Sequence, residues 1–184
     1  MKEQRFKLFF LSLLFSFMGV LLPIQAFAQI KEAYGVLSED GKTFTFRYDE
    51  YKPNSARPFE RKVPYSVEKV IFEPSFKDYR PTSTAELFSG CEDLKEIDGI
   101  EYLNTEQVTD MGAMFSRCYS LTSLNLSNFN TKQVTDMNCM FKDCSSLTSL
   151  NLSNFNTGQV TSMDFMFSDC SSLTSLNLSN FNTQ

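Results

Sequence analysis

Five cysteines are the residues in this chain best equipped for chemistry, and four of them keep a fixed register. Cys91 precedes Cys118 by 27 positions, and Cys118, Cys144 and Cys170 follow at steps of 26, while Cys139 lies outside the series. A thiol can serve as nucleophile, metal ligand or disulfide partner. Each role needs companions. The chain has no histidine, so the commonest general base and the commonest metal ligand are missing together. A one-sided column of thiols cannot surround a tetrahedral zinc ion. Neighbours in such a column lie about 5 Å apart, so disulfides remain open. Buried free thiols are the expected state, because cysteine is among the most buried residue types. With five cysteines, at least one stays unpaired. No glycine-rich phosphate loop or asymmetric pair of carboxylates is visible. The expectation is no enzyme, no cofactor and no metal.

The register comes from repetition. Asn104–Phe129, Asn130–Phe155 and Asn156–Phe181 are near-identical copies, and Leu87–Ile97 matches Met114–Leu124 as an imperfect earlier one. A period of 26 residues is one that signals stacked units, since a unit this short cannot bury its own apolar face. Leu124 and Leu126, two apart, predict a short strand with Asn125 facing outward. Val134, Met137, Met140 and Phe141 recur at the spacing of one face of a short helix, with Thr135 as its N-cap and Asp136 at its positive end. The expected fold is therefore an α/β solenoid, a leucine-rich repeat array of short parallel strands and short helices over residues 83–184. The Met, Phe, Cys and Leu positions read as its packed interior.

Residues 29–82 differ in composition and predict a β-rich amino-terminal cap. Ala33–Leu37 and Thr43–Tyr48 flank Asp40-Gly41, the pattern of a β-hairpin. Val67–Phe72 is a further strand candidate. Ahead of it all, residues 1–28 carry a basic start at Lys2, Arg5 and Lys7, an apolar run from Leu8 to Leu22, and the small pair Ala26 and Ala28. That is a signal peptide, with cleavage expected between Ala28 and Gln29. The apolar run is shorter than the roughly 20 residues a span needs. No membrane insertion is expected after cleavage. The net charge of −5 and the lack of a basic cluster argue against nucleic acid.

With packing accounting for most of each copy, recognition falls to exposed positions. One set is the small-polar ladder Ser123, Asn125 and Ser127, repeated as Ser149, Asn151, Ser153 and Ser175, Asn177, Ser179. It reads either as stacked side chains bonded along a sheet or as a platform for a protein or glycan. The other set lies where the copies differ, and includes Arg117, Tyr119, Lys142 and Phe165.

The phrase V-T-x-M-x-x-M-F-x-x-C-x-S-L-T-S-L-N-L-S-N-F-N-T, standing at Val134 to Thr157, resembles the BspA-like class of bacterial leucine-rich repeats. The resemblance runs from about Ser83 to the end, and the segment Phe72–Ser83 also looks like the one that precedes such repeats. It implies secretion or surface display and adhesion to host matrix proteins, other cells or glycans. It supplies no ligand and no binding residues. Asn182-Thr183-Gln184 begins a further copy. Two readings of that end stay open: a shortened family member, or an edge that meets a partner, end-to-end self-association included.

Overall fold

The computed structural model describes residues 30–60 and 62–182. The signal peptide and its cleavage site at Ala28 and Gln29 lie outside the described residues.

Two alternating runs of β-formers open the described chain and pair with each other. β1 (Glu32–Leu37) and β2 (Thr43–Asp49) form an antiparallel hairpin, with Gly35 opposite Phe46 and Leu37 opposite Phe44. A Cβ on Gly35 would lie 2.1 Å from Cε1 of Phe44, so only glycine lets that ring fold across the strand. The short β3 (Arg57–Pro58) pairs antiparallel with β1, while β4 (Lys69–Phe72) pairs parallel with β2. β5 (Glu96–Asp98) pairs parallel with β4, so the mixed sheet has the order β3-β1-β2-β4-β5. The inward residues Phe44, Phe46 and Phe72 join Phe59 and Phe76 in one aromatic cluster. Centroid separations near 5 Å are those of favourable ring pairs.

β5 belongs to the first, imperfect copy, so the sheet and the repeats share one continuous core. Phe88 stacks on Phe115 at 5.2 Å, Phe115 on Phe141 at 5.6 Å and Phe141 on Phe167 at 5.8 Å. Met111, Met114, Met137 and Met140 are buried beside this ring column. Burying each such side chain is worth roughly 1.5–3 kcal/mol.

The expected α/β solenoid of strands and helices does not form. No α-helix occurs among the described residues; the helical content is two 3-10 turns, Pro74–Asp78 and Ile100–Tyr102. Regular strand pairing within the copies is confined to β6 (Ser149–Asn151) and β7 (Ser175–Asn177), a parallel two-stranded sheet. The segment holding Leu124, Asn125 and Leu126, predicted as a short strand, is not one. The segment predicted as helix is a run of turns, and the backbone shows why. Amides of Met111, Ala113, Phe115 and Arg117 donate to carbonyls of Asp136, Asn138, Met140 and Lys142 in the next copy. The intervening amides of Met114, Ser116 and Cys118 bond back three residues. Alternation of this kind leaves no run of i→i−4 bonds, which an α-helix requires. It still returns apolar side chains to one face at three- and four-residue intervals, hence the misleading helical spacing. Thr135 is no N-cap: its hydroxyl donates to the Thr109 carbonyl at 3.1 Å. Asp136 instead closes a local turn, its Oδ1 accepting the Asn138 amide at 2.7 Å.

Candidate functional site

Turns that reverse every two residues need backbone in the left-handed region. Each copy supplies it at the same two positions. Glu86, Ala113, Cys139 and Phe165 have φ between 52° and 58°, and Gly90, Arg117, Asp143 and Asp169 have φ between 59° and 79°. Aspartate tolerates this region and glycine adopts it freely, whereas a bulky side chain there is unusual. In all copies but the last the amides of these residues bond to the neighbouring copy; that of Cys139 donates to the Asp164 carbonyl and that of Asp143 to Ser168. Two columns of side chains therefore stand at positions fixed by the backbone ladder, and these are positions where the copies differ.

Arg117 pairs with Tyr119, and Lys142 with Phe165. The Arg117 guanidinium lies 5.9 Å from the Tyr119 ring centroid, donates to the Tyr119 hydroxyl at 3.1 Å and bonds Glu92 Oε1 at 3.0 Å. The bond to Tyr119, and the Tyr119 and Glu92 charges beside it, raise the Arg117 pKa further. Lys142 Nζ lies 5.7 Å from the centroid of the Phe165 ring, which is 67% exposed. At exposed sites such cation–ring contacts contribute about 0.5–1 kcal/mol. Their chief effect is to hold flexible cations against rings, so that both are presented in one arrangement. Sequence reasoning missed Tyr65, 62% exposed beside Gly90. Gly90 stands where the later copies carry Arg117, Asp143 and Asp169, and that lone glycine was the available signal.

The small-polar set behaves differently. Ser123, Asn125, Ser127, Ser149, Asn151, Ser153, Ser175, Asn177 and Ser179 are all exposed. Their asparagines do not bond along the stack. Asn125, Asn151 and Asn177 each accept the amide two residues ahead, from Ser127, Ser153 and Ser179, at 3.0 to 3.1 Å. The side-chain amides that cross copies belong to Asn154, which donates to the Leu126 and Phe129 carbonyls, and to Asn180, which donates to the Ser153 carbonyl.

All five cysteines are free. The column thiols point at the preceding turn: Cys118 donates to the Phe88 carbonyl, and Cys144 and Cys170 donate to Phe115 and Phe141 at 3.1 Å. Burial pushes Cys91 and Cys144 up to about 12 and Cys118 well above its usual range. These thiols are protonated hydrogen-bond donors, and a protonated thiol is a poor nucleophile and a poor ligand. Among the described residues, no group of three or more His, Cys, Asp or Glu could hold a metal ion. No helix among them is long and apolar enough to cross a membrane.

The chain belongs to the family described as Mycoplasma protein of unknown function, DUF285, whose model matches residues 82–184. The matched region is the repeat region. Kinship with a surface-protein family, the coarser part of the resemblance drawn from the sequence, is supported by that match. No curated protein and no solved structure matches the chain.

Proposed function

We propose that this is a BspA-like, surface-displayed or secreted binding module without catalysis, exported through the signal peptide of residues 1–28 and adhering to an extracellular protein or glycan. One observation carries the reading. Most of the residues the copies share are taken up in packing, backbone clasps and turns, while two of the positions that differ, those of Arg117 and Phe165, carry left-handed backbone. Phe165 is the sharpest instance: a large apolar ring, two-thirds exposed, kept in a backbone conformation that disfavours it. Exposed rings beside cations are the side chains that anchor protein interfaces. Weak contacts repeated along the stack gain by multivalency.

The test is binding of the full exported chain to immobilised collagen, fibronectin and laminin, and to a glycan array, by surface resonance. A response that falls at least fivefold in the double variant Arg117→Ala, Phe165→Ala supports this face. Absence of any response at high ligand density, or a response the double variant leaves intact, sinks it.

A further inference from the structure

Gly90 departs from the rule of its column. Arg117, Asp143 and Asp169 place a side chain at this left-handed position in the later copies, and Gly90 places none. The space is taken all the same. A Cβ on Gly90 would lie 3.0 Å from Cε1 and 3.2 Å from Cδ1 of Tyr65, tighter than ordinary van der Waals contact. A ring from the amino-terminal cap therefore stands where the later copies carry a side chain of their own. It is 62% exposed.

Tyr65 and Arg117 line one open groove of about 630 Å³, with Ser89, Gly90, Glu92 and Asp93 among its other walls. The charges around it are already matched. Arg117 bonds Glu92, Lys62 pairs with Glu86, and Asp93 stands within electrostatic reach of Lys42. A polyanionic glycan or a strongly basic peptide would find no uncompensated charge to meet. What stays open is the Tyr65 ring and the Arg117 side chain, 55% exposed and held by its bonds to Tyr119 and Glu92. Tyrosine and arginine are the side chains that most often anchor protein interfaces, and a tyrosine ring offers apolar surface to a partner's side chain.

We propose that Tyr65, seated on Gly90, is a third anchor of the recognition face, and that the groove between it and Arg117 takes an uncharged apolar side chain of a protein partner. This rests on the binding function proposed above. It carries that face from the copies onto the cap and selects a protein over a glycan.

The experiment is surface resonance of the full exported chain on immobilised collagen, fibronectin and laminin, with a glycan array beside it. Tyr65→Ala is expected to weaken protein binding at least about fivefold, and Tyr65→Phe, which keeps the ring, to preserve it. Gly90→Asp introduces the residue of Asp143 and Asp169, which tolerates left-handed backbone, and displaces the ring, so it weakens binding as well. In the double variant the two losses do not add, because Gly90→Asp acts through Tyr65. Tyr51→Ala, another exposed ring of the cap, changes nothing. The Tyr65→Ala loss is the same at about 0.1 and about 0.5 M salt, as an uncharged contact requires. Binding that the double variant Arg117→Ala, Phe165→Ala removes and Tyr65→Ala leaves intact overturns this inference and spares the proposed function. No binding to any protein or glycan overturns both. A response confined to the glycan array overturns the protein partner, and additive losses in Tyr65→Ala and Gly90→Asp overturn the seat. Should Gly90→Asp fail to fold, Tyr65→Ala and Tyr65→Phe decide alone.

Discussion

The Thr105 hydroxyl grips both backbone groups of Asn130: it accepts the Asn130 amide at 2.7 Å and donates to the Asn130 carbonyl at 3.1 Å. Thr131 does the same to Asn156 at 2.7 and 3.0 Å, and Thr157 to Asn182 at 2.6 and 3.4 Å. All three threonines are buried. A hydroxyl is the one small side chain that can donate and accept at a single point. The Asn-Thr pair that recurs in every copy is therefore a clasp between copies, and its asparagine turns the chain by accepting the amide two residues ahead.

Removing one clasp has a definite cost. Thr131→Val preserves shape and leaves the Asn156 amide and carbonyl without their partner, which should destabilise by about 1–3 kcal/mol. Thr131→Ser should retain most of the stability. Urea denaturation of the two variants checks this. Equal midpoints for valine and wild type would mean that the clasp contributes nothing.

Much of the packing was legible because it depends only on which residues are apolar and how often they return. Leu150, Phe141, Met137 and Cys144 were assigned to the interior from their period, and all four are buried. The conformation connecting them was not legible. Ala113, Arg117, Cys139 and Phe165 carry no signal for left-handed backbone, since their types disfavour it. Bonds to a neighbouring copy stabilise that geometry at Ala113, Arg117 and Cys139, and such bonds are invisible to any local window. A helix and a chain of alternating turns place Met137, Met140 and Phe141 on the same face, so periodicity could not separate them. Variation among the copies marks the exposed Arg117 and Phe165, whereas the exposed Tyr65 lies outside the copies and carries no such mark.

The thiol column makes stability fall in alkali. Burial holds Cys144 and Cys91 protonated up to about 12, while an unfolded thiol ionises near its ordinary value of 9.0. Between those values the native state keeps protons that the unfolded chain has lost, so stability falls as pH rises. It is fully present below the unfolded value and lost progressively toward 12. Each thiol contributes at most about 1.4 kcal/mol per pH unit in that window. Urea midpoints should therefore match at about pH 7 and 8 and drop by about pH 10.5, with a shallower drop in Cys144→Ala. A midpoint independent of pH to 10.5 would refute the buried, ionisation-resistant column.

Phe165 and Phe141 should respond in opposite ways to truncation, which separates recognition from packing. Phe141 is fully buried between Phe115 and Phe167, and Phe141→Ala should cost about 3–5 kcal/mol. Phe165 has φ 58° and is largely exposed. A left-handed residue with a Cβ carries about 1–2 kcal/mol of strain, which glycine relieves. Glycine returns about 0.5–1 kcal/mol of that in unfolded-chain entropy, and the exposed Lys142 contact forfeits about 0.5 kcal/mol more. Phe165→Gly should thus change stability only slightly, between a loss of about 0.5 and a gain of about 1 kcal/mol. Its binding to immobilised matrix should nevertheless fall. On the proposed function, the strained, exposed ring serves a contact outside the chain. If Phe165→Gly instead lowered the urea midpoint as far as Phe141→Ala does, the ring would belong to the core and the recognition face would lose its anchor.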